Sequence, residues 1–284
     1  MKKTLPFFSM LCVLFLLSSC VPPDPAMVYG WNTNTPGSTI TGPRILHKID
    51  SANVTVTEYV STSAGVLQQV KYHATSNEMD VLYNSDNKVN QMVLQDGTVI
   101  LDLSLNYDTA GKVTSAVMVQ TQNNVNMGET HFTLSYNPAG KVIKLDKKVK
   151  NPVFSNNFTH YGVVSLVWSG DNVVKATENT TGIIHADGTL EPLDPNGNIT
   201  YKFEEYDSKI NPYSTLPKEF NLGMGMMGTV AFAQCSFNNH LKMQLEPFFN
   251  IPPIVTTGSF VYDTSNYPVS DQQDVFKFIY KGIQ

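Results

Sequence analysis

The chain has little charge, few cysteines and no long apolar run. Charged residues make up 15% of 284, with 19 basic against 24 acidic side chains. That balance gives no electrostatic footprint for nucleic acid and no attraction to an anionic membrane surface. Three cysteines cannot form the even, numerous set of an exported disulfide framework. The longest apolar run, Leu5 to Leu17, has 13 residues, short of the roughly 20 that a membrane-spanning helix needs. The six histidines, His47, His73, His131, His160, His185 and His240, form neither HxH nor HExxH, so nothing supports a zinc site. No GxSxG elbow is present, and choosing a Ser-His-Asp set or a carboxylate pair would be arbitrary. No long helical stripe occurs. Disorder is excluded too, because hydrophobic residues reach 42%.

What is abundant is turn chemistry. Asn numbers 25, beside 18 Gly and 16 Pro. With many Tyr and Val, this composition predicts β-strands joined by tight turns.

The N-terminus has Lys2 and Lys3, the 13-residue apolar run, then Leu17-Ser18-Ser19-Cys20. This resembles the bacterial lipobox: a leucine, two small residues that enter the peptidase as an extended strand, and a thiol that accepts a diacylglycerol. The competing reading is an ordinary signal peptide with a chance cysteine. The resemblance implies a leader over 1–19 and lipidation of Cys20. A thioether diacyl group plus an N-acyl chain would exceed the two-signal threshold for stable anchoring. Loss of Lys2 and Lys3 leaves 17 basic against 24 acidic side chains, a net of −7. Residues 20–44, rich in Pro, Gly, Thr and Asn, read as a flexible tether. Val21 is not an inner-membrane retention signal of the Asp type, so the outer membrane is expected, on either face. With Cys12 in the leader and Cys20 lipidated, Cys235 has no partner; its apolar setting predicts a buried small hydrophobe.

From Ile45 onward one pattern repeats. An alternating apolar strand ends in an aromatic residue, then come Asn or Asp, two loose residues, Gly or Asn, a basic residue and Val. Tyr107-Asp108-Thr109-Ala110-Gly111-Lys112-Val113 is the clearest copy, beside Tyr83 to Val89 and Tyr136 to Val142. Trp168 opens a degenerate copy, Phe237 a shortened one, and Tyr262 the last. The aromatic slot falls at 83, 107, 136, 168, 206, 237 and 262, at intervals of 24 to 38 residues, as stacked hairpins require. Asn137 can cap the turn, Pro138 presets φ, and Gly140, like Asn87 and Gly111, takes the left-handed position. Lys88, Lys112 and Lys141 are expected at the solvent edge, discouraging edge pairing. Alternation puts Leu101, Leu103, Leu105 and Tyr107 on one face, with Val113, Val117 and Val119 answering on the next strand. The best helix candidate is 211–221, after Pro212.

These Tyr-Asp turns resemble the YD (Rhs-type) repeat. Tyr206-Asp207-Ser208-Lys209-Ile210-Asn211-Pro212-Tyr213, Ser236-Phe237-Asn238-Asn239 and Tyr262-Asp263 through Tyr267-Pro268 are similar, in that order, to segments of a family of Bacteroidota lipoproteins of unknown function. The Trp168 copy and the Gly223–Gly228 run depart from it. The resemblance spans residues 45–284 and implies a β-rich, lipid-anchored envelope protein. It hands over no catalytic residue.

The remaining candidates have plain readings. Asp194-Pro195-Asn196-Gly197-Asn198 resembles half a calcium loop but lacks a placed bidentate Glu, so a turn is expected. His185 and Asp187 could share a strand face, although Asp187-Gly188 suits a hairpin turn. Gly223-Met224-Gly225-Met226-Met227-Gly228 is a core-packed loop or an adaptable lip on a ligand groove. Asp50-Ser51-Ala52 and Asp108-Thr109-Ala110 resemble an O-glycosylation sequon of Bacteroidota envelope proteins. The expected fold is all-β: a single YD-repeat-like domain over 45–284, an antiparallel sheet of repeated hairpins shaped as a curved sandwich or an open half-barrel. No catalytic residue, metal site or cofactor is expected. The expected function is non-enzymatic binding of a glycan or protein partner, or scaffolding; the alternative is a carrier of a lipid or other apolar ligand.

Overall fold

A computed structural model describes residues 43–248 and 251–284. The expected leader over 1–19, the expected lipidation site Cys20 and the expected tether as far as residue 42 lie outside the described residues. Seventeen strands follow in chain order: β1 (Arg44–Ser51), β2 (Val54–Ser61), β3 (Leu67–Tyr72), β4 (Asn77–Tyr83), β5 (Val89–Asp96), β6 (Val99–Tyr107), β7 (Val113–Gln122), β8 (Val125–Tyr136), β9 (Val142–Lys150), β10 (His160–Ser169), β11 (Asn172–Ile183), β12 (Asn198–Ile210), β13 (Asn238–Glu246), β14 (Ile254–Thr257), β15 (Phe260–Tyr262), β16 (Pro268–Asp271) and β17 (Phe276–Gly282). All pairings are antiparallel. Each strand from β1 to β13 pairs with the next. On its other side β1 pairs with β17, which leads through β16 to β15.

The ladder thus ends at β14 on one side and at β15 on the other. Among the described residues no register joins these two, so pairing does not close a barrel. Yet only Gly258 and Ser259 separate β14 from β15, so one strand path crosses from the last pair to the first. Gly258 N–H donates to Leu241 on one side of this seam, at 2.8 Å, and Ser259 accepts from Gln272 on the other, at 2.9 Å. The result is one wrapped, open sheet rather than two stacked ones.

The turns form as the repeat dictates. Asp108 N–H donates to the Lys112 carbonyl at 2.9 Å, and Gly111 closes back on Asp108 at 3.0 Å. The same two bonds recur at Asn84 to Lys88, Asn137 to Lys141 and Asp263 to Tyr267. Asn87, Gly111, Gly140 and Asn266 sit at φ 57°, 75°, 76° and 67°. Asp108 Oδ1 caps the turn by accepting from Ala110 and Lys112. Thr62 to Val66 closes in the same way, a copy with no aromatic residue to announce it.

Each such turn ends in a bulge that shifts the register, and this corrects the face assignment on β7. Val113 pairs with Tyr107, but Leu105 then pairs with Ala116 and Leu103 with Met118. Val117 and Val119 oppose Ser104 and Asp102 and point outward. Return strands therefore bury positions i and i+3: Leu67 and Val70, Val89 and Met92, Val113 and Ala116, Val142 and Leu145, Val173 and Ala176.

The inside of the wrapped sheet is plugged by the segment between β12 and β13. A 3-10 turn (Pro212–Thr215), the helix α1 (Lys218–Met227) and a 3-10 helix (Thr229–Cys235) bury Phe220, Leu222, Met226 and Phe232. The helix thus lies later than 211–221, and the Gly223–Met227 run is in it rather than in a loop or lip. Phe237 immediately precedes β13 instead of opening a hairpin, because this insert replaces the return turn after Tyr206.

Candidate functional site

The aromatic slot builds a ladder along one end of the sheet. Tyr83 Oη donates to the Leu67 carbonyl at 2.8 Å, and Tyr107 Oη to that of Val89. Tyr136 reaches Val113 at 2.6 Å, Trp168 Nε1 reaches Val142 at 2.6 Å, and Tyr206 reaches Val173 at 2.6 Å. Each ring thereby ties its strand to the start of the previous return strand: its first residue, or for Val173 its second. The motif lysines do not stand free at the edge. Lys88 Nζ lies 5.5 Å from the Tyr107 ring, Lys112 5.4 Å from Tyr136, and Lys141 5.1 Å from Trp168. Alternate apolar surface and ammonium groups thus interlock from hairpin to hairpin. Burial raises Tyr83 to about 12 and Tyr136 to about 12, with the Glu219 charge adding to both.

At the seam, side chains join the two ends of the sheet. Tyr262 Oη donates to Asp207 Oδ2, and Lys209 Nζ to Asn266 Oδ1 at 2.6 Å. Buried Arg44 meets Asp263 at 2.5 Å and lies 4.5 Å from the Tyr267 ring. Asn239 Nδ2 donates to the Ile210 carbonyl at 2.9 Å. Beside Asn239 is an apolar cavity of about 100 Å³, bordered also by Tyr213, His240, Phe260 and Phe278. Burial lowers the His240 pKa, opposed by Asp207. The cavity is small for a drug-sized ligand, whose pockets run from about 300 Å³ upward.

Inside the sheet, Lys147 meets Glu178 at 2.5 Å, and Thr229 Oγ1 on the plug donates to the same carboxylate at 2.5 Å. Burial alone would raise Glu178, but Lys147 outweighs it and the pKa is lowered. The sequence reading missed this set. Its signal was the bulge after Gly140, which turns Lys147 to the inner face opposite Phe132.

The other residues singled out in the sequence have local work. Asp194 accepts from Asn196 N–H at 2.8 Å and caps a 3-10 turn over Pro195–Gly197. His185 pairs with Glu191 at 3.0 Å rather than with Asp187; Asp187 accepts from Thr189 in a four-residue turn closed by Gly188. Cys235 packs against the core, and burial raises its thiol to about 12. Among the described residues no group of three or more His, Cys, Asp or Glu could hold a metal ion.

No protein-family model matches the chain, and no curated protein does. Solved structures similar to it include a porin-like protein from Bacteroides vulgatus, with 8% identity, a TM-score of 0.43, and coverage of 84% of this chain and 99% of that one. A porin-like protein from Bacteroides uniformis gives 13% identity and 0.42, covering 79% and 90%. The TcdB2–TccC3 complex gives 13% and 0.25, covering 75% of this chain and 11% of that one. Scores this low leave fold and function to be argued from this chain's own residues.

Proposed function

We propose that the chain is a lipid-anchored, non-enzymatic protein of the cell envelope, attached to the outer membrane through Cys20, whose domain binds a glycan or protein partner or scaffolds an assembly. The supporting observation is that the repeated motif residues are consumed by the fold. Each Tyr binds backbone of the previous hairpin, Lys88, Lys112 and Lys141 lie over rings of the next, and Asn84 and Asn137 cap their own turns, which makes a rigid platform. The ordered Tyr-Asp segments support a relationship to the Bacteroidota lipoproteins they resemble. Intact mass of the exported protein tests the anchor: the processed chain plus three acyl chains is expected, and an unlipidated mass overturns it. Protease shaving of intact and permeabilised cells then tells a surface platform from a periplasmic one.

The carrier reading has its own supporting observation. Beyond the plug, inward-facing Leu101, Met118 and Leu245 stay half-buried and Ile254 is exposed. That concave strip could hold an acyl chain. Solvent extraction and mass spectrometry of the purified protein should then release a stoichiometric lipid; a clean apo protein sinks this reading.

A further inference from the structure

The turns at the two ends of the sheet expose different chemistry. The chain enters at Pro43 beside the motif turns, and these are polar, with Val66 and Val230 their exposed large apolar side chains among the described residues. Six of the eight opposite turns carry an apolar tip, the β3–β4 and β5–β6 turns being polar: Val54 after β1, Val125 after β7, Phe154 after β9, Leu190 after β11, Ile251 after β13 and Phe276 after β16. Their exposures are 65, 52, 86, 56, 51 and 44%. Burying any one of them in the fold would be favourable by ordinary transfer, yet six separate turns leave them out.

We propose that this end of the domain docks on a zwitterionic bilayer surface, the six tips entering the headgroup boundary. Two observations favour lipid over a protein. The tips are aliphatic or Phe, whereas protein hot spots favour Trp, Tyr and Arg in one contiguous patch; the chain's one arginine, Arg44, is buried at the other end. The tips are also separated by polar turn residues, which suits independent shallow insertion. Charge selects the lipid. Asp96, Asp187, Glu191 and Asp194 lie among these turns, while Lys150 and Lys277 are already paired with Glu129 and Asp274 at 3.1 and 3.3 Å. Among the described residues the other lysines near these turns, Lys71 and the exposed Lys148, are outnumbered by these carboxylates, so the end presents a net acidic surface to an anionic headgroup. The geometry agrees with the proposed anchor, on which this inference rests only for orientation: 23 residues from Cys20 to Pro43 can span at most roughly 80 Å, longer than β12.

The test uses the full chain reconstituted with phosphatidylcholine vesicles. An environment-sensitive fluorophore is placed on Asn156→Cys, in the Phe154 turn, or on Ala64→Cys, in a motif turn. The expected result is a blue shift and quenching by lipid-borne quencher at 156 and neither at 64. Phe154→Ser with Leu190→Ser should cut the inserted fraction by at least about tenfold, with an unchanged denaturation midpoint. Phosphatidylglycerol vesicles should give no shift at low salt. Vesicle flotation reads the anchor separately: a chain that floats while 156 stays in water overturns this inference and leaves the anchor standing. A shift at 156 without vesicles, accompanied by dimer mass, assigns the tips to self-contact and overturns it. Equal shifts in both lipids overturn the charge argument.

Discussion

Removing one hydroxyl from the ladder tests whether the aromatic slot is structural. In Tyr136→Phe the ring stays beneath Lys112, but the 2.6 Å bond to the Val113 carbonyl is lost. A made hydrogen bond is worth about 0.5–1.5 kcal/mol, and an abandoned buried acceptor costs about 1–3. Val113 is 3% exposed, so water reaches its carbonyl poorly, and a loss of about 1.5 kcal/mol follows. For a domain of this size that is a fall in Tm of about 3–6 °C. Tyr136→Ala also removes the ring, adding about 2 kcal/mol of lost burial and about 0.5–1 of cation–π attraction. Urea unfolding of the purified protein measures both, with unchanged slopes showing that the unfolded state is the same. A Tyr136→Phe variant within 0.3 kcal/mol of the parent on that urea scale, or an Ala variant no worse than Phe, would refute the ladder as a source of stability.

Alkaline pH should unfold the protein in a defined window. Burial raises Tyr83 and Tyr136 to about 12 from the usual 10, so the folded state holds these protons more tightly. Their contribution is fully present below pH 10 and is lost as pH rises toward 12; tyrosinate absorbance should appear together with loss of folded signal, and tyrosinate formation without unfolding would contradict this. Gly140→Ala forces a side chain into φ 76°, with Lys112 Nζ at an ordinary 3.9 Å from the new Cβ, so a loss of about 1–2 kcal/mol from backbone strain is expected, with Gly140→Asn recovering part of it in the same urea assay. Gly223→Ala would place a Cβ 2.4 Å from Met92 Sδ and should cost about 1–3 kcal/mol by overpacking; a neutral result would mean that α1 is loosely seated. Cys235 should resist a soluble thiol reagent at pH 8 in the folded protein and react on denaturation; rapid native labelling would place the thiol in water.

The hairpin scaffold was legible because its signals are local. A Tyr-Asn-x-x-Gly-Lys string fixes a cap, a left-handed residue and a return strand within seven positions. The turn at Thr62 to Val66 was hidden because Ser61 stands where the aromatic should be, although its backbone bonds are the same. The faces of β7 were misread for a different reason. Strict period-2 counting continued across Gly111, whereas the bulge there inserts one residue and inverts every later side chain. The spacing Val-x-x-apolar after each basic residue was the readable sign of that inversion.

The plug shows why the interior was harder to read than the wall. A ten-residue helix containing Gly223 and Gly225 has poor intrinsic propensity, and its glycines suggest a loop. In the fold they are there for proximity: a Cβ on Gly225 would lie 2.3 Å from the Phe232 ring, and one on Gly223 would strike Met92 from β5. The helix exists because the sheet closes around it, so its signal lies in residues more than a hundred positions away. The same holds for Lys147, Glu178 and Thr229, drawn from β9, β11 and the plug. Charged residues in an alternating strand read as solvent-facing until the register is known, and the register depends on a glycine one turn earlier. In this chain, side chains that define a turn are therefore visible from sequence, while those that meet across the wrapped sheet become visible only after each bulge has been counted.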